Sequence, residues 1–386
     1  MDKKIDTWDR HEDDWKGSFN FVLVIYFVIM FAFITVRVIA GLGWLSNLPP
    51  AVVEIGFSIV SQVLIMTAIP LFAVHAWRRK RRDTTIKETF ASKGFDKPTW
   101  RVLGFAVLLG AIAYFFNIFI SGLFNGVLAI LGYRFPGGGG VETWSGVSGL
   151  FVLLALVAVL PGFCEEVTHR GMLMRSFIPR LGVMKAILFS SVMFGFMHLN
   201  VVQVFYAAIL GYIIALATVA TKSLWVGVIM HFMNNAMGIY FMFAYRYGWI
   251  GGGLMNALVG ALDILGLILY ALVIFGGFFA MMAIIRMFAR ENFQKKKSLH
   301  IAQLIQTDPN ILKHSNGVYS FEEFHDVVDK TILRMGNWQR LKFFLEPTSV
   351  LGNKRPRLNR AEATLFWGVL FLGGIITTFT LVWGFL

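Results

Sequence analysis

Pro161-Gly162-Phe163-Cys164-Glu165-Glu166-Val167-Thr168-His169-Arg170 follows directly on an apolar run from Val147 to Leu160. Two carboxylates, an imidazole and a guanidinium at the end of a membrane-length apolar stretch are costly in lipid, and such groups are retained for function. Two further polar islands stand in later apolar segments. One is Phe194-Gly195-Phe196-Met197-His198, and the other is His231-Phe232-Met233-Asn234-Asn235. The rest of the chain reads as the scaffold that brings these three pieces together.

The composition agrees. Of 386 residues, 57% are hydrophobic and 15% charged, against roughly 25% charged in soluble domains. Mean hydropathy is +0.67. The chain is therefore expected to be an all-α polytopic membrane protein. The net charge of +13 is no nucleic-acid footprint, because the Lys and Arg residues cluster between apolar segments as the positive-inside rule requires. A single cysteine, Cys164, excludes an intrachain disulfide and a cysteine zinc cluster. Its neighbouring carboxylates oppose a thiolate, so it reads as a packing residue.

Working outward, the apolar pattern predicts about nine spans. They run roughly Phe19–Leu42, Ala51–Trp77, Val102–Leu131, from Val147 through the acidic motif, Val183–Leu199, Val201–Ala220, Leu224–Tyr245, the later part of Leu254–Ile285, and Thr364–Leu386. Arg78-Arg79-Lys80-Arg81-Arg82 fixes the orientation. The N-terminus is then cytoplasmic and the C-terminus outside, in a bacterial-type plasma membrane. The corresponding division is a tail (1–18), N-terminal spans and loops (19–146), a core with the three islands (147–245), an outer loop and span (246–297), a cytoplasmic helical insert (298–360) and a last span (361–386). The acidic-rich first sixteen residues read as a solvated tail, and the Gly137–Gly140 run as a flexible loop. Glu54 and Asp263 read as hydrated outer groups. Asn316 to Phe324 echoes half of a calcium loop, but Leu312 and His314 stand where carboxylates would be needed, so a helical module is expected.

Helical spacing sorts the opening stretch. Glu166 and Arg170 are four apart and form a natural ion pair, while Glu165 and His169, also four apart, stack on the neighbouring face. Glu165 is then the carboxylate freer to act. With His198 it can hold a water and accept its proton. His231 and Asn235, also four apart, can donate to a developing oxyanion. Glu165, His198 and His231 also match the ligand types of a two-His-one-Glu zinc site, with no local zinc motif to support it.

Glu-Glu-x-x-x-Arg (Glu165 to Arg170), Phe-x-x-x-His (Phe194 to His198) and His-x-x-x-Asn (His231 to Asn235), in this order and each in an apolar helix, resemble the CPBP family. That family contains the type II CAAX prenyl endopeptidases and their bacteriocin-processing, abortive-infection and lysostaphin-resistance-like relatives. The resemblance covers about Val147 to Tyr240. It implies an intramembrane endopeptidase in which Glu165 and His198 activate water, His231 and Asn235 support the oxyanion, and Glu166 and Arg170 support the site. Cleavage of membrane-proximal peptides on the cytoplasmic side is the expected activity. His169 departs from the family pattern, which has an aromatic residue before the arginine. Partners are then a peptide or protein substrate, the bilayer, and a protein docked on the 298–360 insert. Two other classes remain open: a non-catalytic scaffold of the same fold, and an ion-coupled transporter using the same buried charges.

Helix geometry sets one condition. His231 lies about 11 Å into its span and His198 about 22 Å into its own. A shared site requires the fifth span to begin deep, to tilt strongly, or to form a re-entrant hairpin with the sixth.

Overall fold

In the computed structural model, eight helices among the described residues are long and apolar enough to cross a membrane. Lipid offers the backbone no hydrogen-bond partners, so each crossing segment satisfies its own as helix. The structure describes residues 15, 17–81, 84–134, 144–253, 257, 264–307, 309–314, 317–346 and 357–385. The acidic tail before Trp15, the Gly137–Gly140 run, Asp263 and Asn316 lie outside them.

The spanning helices are α1 (Phe19–Gly41) and α2 (Pro50–Arg79), then, after a short α3 (Ile86–Ala91), α4 (Trp100–Ile130) and α5 (Gly146–Leu181). They continue, past a short apolar α6 (Val183–Phe196), with α7 (Val201–Thr221), α8 (Leu224–Tyr247), α9 (264–307) and, after the insert, α12 (Arg360–Phe385). The insert contributes α10 (Phe321–Arg334), α11 (Asn337–Leu345) and a two-stranded hairpin, Lys313–His314 against Gly317–Val318. Together the helices form the expected all-α membrane architecture.

The fifth predicted span is the exception. α6 has 14 residues, about 21 Å of helix against a hydrocarbon core of about 30 Å. Its partner α7 runs 21 residues, and Val201 at its start packs with Leu128 and Tyr133 near the end of α4. The two helices share one tip, so α6 begins about 10 Å deeper in the bundle than α7 ends. Of the three ways to bring the histidines together, the deep start is the one used. A deep start buries orphan helix N–H groups. Glu346, itself buried at the end of α11, accepts the Val183 N–H through Oε2 at 3.0 Å. Gly182, at φ +84°, makes the tight reversal from α5.

The boundary expected at 298 falls inside α9, which continues into the insert. There Phe293 and Ile301 of α9 pack with Phe324, Val328, Ile332 and Phe343. Leu341 and Leu345 join the main core. The insert is thus anchored beneath α6 rather than hung from a linker. Glu54 is not a merely hydrated group: Trp144 Nε1 donates to its Oε2 at 2.7 Å and ties the start of α2 to the approach to α5.

Candidate active site

The acidic motif occupies an α-helical stretch of α5, Leu160–Thr168, between two π-helical turns, Leu154–Val159 and His169–Met174. Pro161 opens this stretch and has no N–H to give the carbonyl four residues back. That carbonyl belongs to Val157. Asn235 Nδ2 on α8 donates to it at 2.8 Å. Asn234 Nδ2 in turn donates to Asn235 Oδ1 at 3.0 Å, and Asn117 Nδ2 faces Asn234 Oδ1 at 3.5 Å. One hydrogen of the Asn235 amide is therefore committed to the backbone, and the second has no partner among the described residues.

The ion pair read from the four-residue spacing is present. Arg170 Nη1 meets Glu166 Oε1 at 2.6 Å with both side chains fully buried. Arg170 Nη2 also donates to the Gly211 carbonyl at 2.8 Å. The same Glu166 oxygen lies 2.9 Å from His231 Nδ1. A carboxylate held by arginine accepts only, so Nδ1 of His231 carries the hydrogen and Nε2 is the nitrogen left to face the cavity. His198 is set the same way: its Nδ1 lies 3.1 Å from the Phe194 carbonyl, which can only accept. Glu165 Oε1 accepts from Gln62 Nε2 at 2.9 Å, and its Oε2 stands 3.8 Å from His231 Nε2.

Phe194 is the hub around which these groups are placed. Its ring centroid lies 5.2 Å from His198 and 5.7 Å from His231, both edge-on, with Arg170 over the ring at 4.5 Å. Leu199, directly after His198, adopts a left-handed φ of 51°. The chain thus reverses into α7 immediately after the histidine leaves the helix.

Glu165, His198, His231 and Asn235 all line one cavity of about 490 Å³. The four residues singled out from the sequence are therefore brought together. Glu166 and Arg170 lie behind them, out of the cavity. His169 does not reach it. Its Nδ1 is 2.9 Å from the Glu165 carbonyl and its Nε2 3.1 Å from the Tyr26 hydroxyl, which donates to the Met193 carbonyl at 2.7 Å. It ties α1 and α6 to the motif. Gln62, Asn117, Asn234 and the hub role of Phe194 emerge only from the structure. Of these, Gln62 and Asn117 carry a sequence signal, each as a polar residue in an apolar span, and Asn234 stands within the third polar island.

The donor set suits zinc chemically. Yet among the described residues no three His, Cys, Asp or Glu side chains are gathered closely enough to hold a metal ion. Glu165 is turned to Gln62 through one oxygen and its other oxygen stands off His231. The residues as arranged do not fit the metal.

Apolar helices long enough to cross a membrane surround one carboxylate and two imidazoles that line a single cavity, and the protein is an integral membrane protein. Residues 147–237 match the model of the Rce1-like family, type II CAAX prenyl endopeptidase Rce1-like, and the chain carries a domain of this CPBP group over those residues. The family is one of membrane proteases. No curated protein and no solved structure gives a significant match.

Proposed function

We propose that the protein is an intramembrane endopeptidase in which Glu165 activates a water molecule against a peptide carbonyl. The observation that carries this reading is the convergence of Glu165, His198 and His231 on one cavity, with both histidine Nδ1 atoms anchored from behind. A water there donates one hydrogen to the Glu165 carboxylate and the other to the His198 lone pair. Its own lone pair then faces the substrate carbonyl carbon. Attack places a proton on Glu165 and a negative charge on the carbonyl oxygen.

The free N–H of Asn235 supports that oxyanion. His231 has a second part to play. Neutral, it accepts at Nε2. Once protonated there, it donates to the oxyanion or to the leaving nitrogen. Glu166 behind it supports the imidazolium, much as the buried carboxylate does in a Ser-His-Asp triad. With His231 protonated, Glu165, Glu166, Arg170 and His231 sum to zero charge, which suits a site of low dielectric. Collapse of the tetrahedral intermediate breaks the C–N bond as Glu165 passes the proton it took from water to the leaving nitrogen, which returns Glu165 to its carboxylate form.

The experiment is cleavage of membrane-tethered peptides by the purified full-length protein, read by mass spectrometry. Wild type is expected to yield two fragments, and Glu165→Gln and His198→Ala are expected to lose at least about 100-fold in rate, the order typical of general-base removal. Equal rates in the three proteins would reject the reading. Part of the proposal is that the ends of α2, α5 and α7 face the cytoplasm, which the basic segment after α2 supports.

A further inference from the structure

The cavity is displaced along the bundle, and its displacement has a direction. On α4 its lining runs from Tyr114 to Ser121, and on α8 from His231 to Met242. On α5 it runs from Leu153 to Glu165, and on α7 from Gln203 to Leu210. The α4, α5 and α7 segments lie towards the helix ends at Ile130, Gly146 and Val201, while the α8 segment spans the middle of its helix. Met242 stands about 8 Å from the end of its helix, whereas Glu165 stands about 24 Å from the end of α5 at Leu181. The catalytic groups therefore form the floor, and the open volume rises from them towards that end.

The opposite end is sealed. From His169 to Phe177 the residues of α5 are all buried, and Thr218, Leu224, Ser92 and Lys93 are buried beneath them. The segment before α4 closes the base: Gly94 O accepts from Leu224 N at 2.8 Å and Asp96 O from Ser223 Oγ at 2.6 Å. This sealed end carries the basic residues Arg78 to Arg81, Arg101, Arg180, Lys222, Arg286 and Arg290. By the positive-inside rule it is the cytoplasmic end.

We infer that the site takes its substrate from the extracytoplasmic side, as an extended apolar peptide segment of an exported or membrane protein. This rests on the proteolytic reading of the site and reverses the cytoplasmic side expected from the sequence. The walls fit such a ligand. Leu153, Val157 and Leu210 offer apolar contacts, while Asn117, Ser121 and Gln203 offer hydrogen bonds to a peptide backbone. A peptide lying between α5 and α7 runs down to Glu165 with its carbonyls facing polar groups. A charged, cytosolic carboxyl terminus has no open route through the sealed end.

The test uses the single cysteine to advantage. In a Cys164→Ala background of the full-length protein, Ser121→Cys and Met242→Cys report on the cavity and Ser298→Cys on the basic end, where Ser298 is exposed. Intact cells are treated with a membrane-impermeant maleimide before and after permeabilisation. The cavity cysteines are expected to label in intact cells, and Ser298→Cys only after permeabilisation. Labelling of Ser298→Cys in intact cells, labelling of the cavity cysteines only after permeabilisation, or no labelling of either cavity cysteine would each overturn the inference. The readout is independent of turnover: Glu165→Gln is expected to leave it unchanged. A protein that labels as expected but cleaves nothing would fail the proteolytic reading alone.

Discussion

His231 Nδ1 and Arg170 Nη1 converge on one oxygen, Oε1 of Glu166, at 2.9 and 2.6 Å. The second glutamate of the motif is thus a positioning residue. It fixes which nitrogen of His231 faces the cavity and holds a buried arginine in place. Glu166→Gln keeps the shape but lets the amide donate, so the ring loses its tautomer preference. Turnover is expected to fall by about two orders of magnitude or more while substrate affinity changes little, by analogy with the carboxylate of a catalytic triad. Glu166→Ala also strands Arg170, and is expected to cost roughly 3–5 kcal/mol of stability. Steady-state kinetics and thermal unfolding in detergent separate the two effects.

Asn235 and Pro161 make a coupled pair. Asn235→Ala leaves the Val157 carbonyl unmet and is expected to cost about 1–3 kcal/mol. Pro161→Ala supplies the missing N–H to that carbonyl. In the Pro161→Ala background the Asn235→Ala penalty is therefore expected to shrink by at least half. A double-mutant cycle on unfolding midpoints measures this, and full additivity would show that the two residues are not linked through Val157.

These relationships differ in how far the sequence discloses them. The Glu166–Arg170 pair follows from four-residue spacing, and so does the shared face of His231 and Asn235. The link from Asn235 to Val157 is half written in the sequence, because a proline inside an apolar run announces an orphan carbonyl but not its donor. The pairing of Gln62 with Glu165 joins residues 103 positions apart, which no local pattern encodes. The spans are legible as apolar runs, yet hydropathy overcounts α6 as one of them. A 14-residue helix buried among other helices is as apolar as one facing lipid, so hydropathy cannot tell its length from its partner's turn. The direction of the cavity is not legible at all, since it depends on which halves of four helices pack loosely.

The α6–α7 crossing depends on Gly195. A Cβ there would lie 2.6 Å from the Val204 carbonyl oxygen and 3.0 Å from Ala208 Cβ. Gly195→Ala is expected to pry the hairpin apart, costing about 1–3 kcal/mol and moving His198. Activity should fall by more than stability alone explains, which a comparison at a temperature well below the unfolding midpoint would reveal. Gly56→Ala, with open space around it, serves as the neutral control.

Lys93 links the sealed base to pH. It is fully buried 5.7 Å from the Trp15 ring. Burial, and then Arg78 and Arg175, push its pKa down to about 7. Because the folded pKa lies below the unfolded value of about 10.4, the unfolded chain binds more protons between them. Stability therefore rises with pH from about 7 to about 10 on this account. Lys93→Met is expected to stabilise by a few kcal/mol at about pH 7 and by little at about pH 10. Unfolding midpoints measured across that range check the sign: an equal gain at both values would contradict it.

On the proposed mechanism Glu165 activates water for peptide hydrolysis. The most direct measurement is single-turnover cleavage of a membrane-tethered peptide in water enriched in oxygen-18, with wild type and Glu165→Gln side by side. The expected result is one oxygen-18 atom in each new carboxyl terminus, no covalent adduct on the protein, and loss of cleavage in Glu165→Gln. Cleavage by Glu165→Gln at the wild-type rate, or an acyl adduct on the protein, would contradict the account.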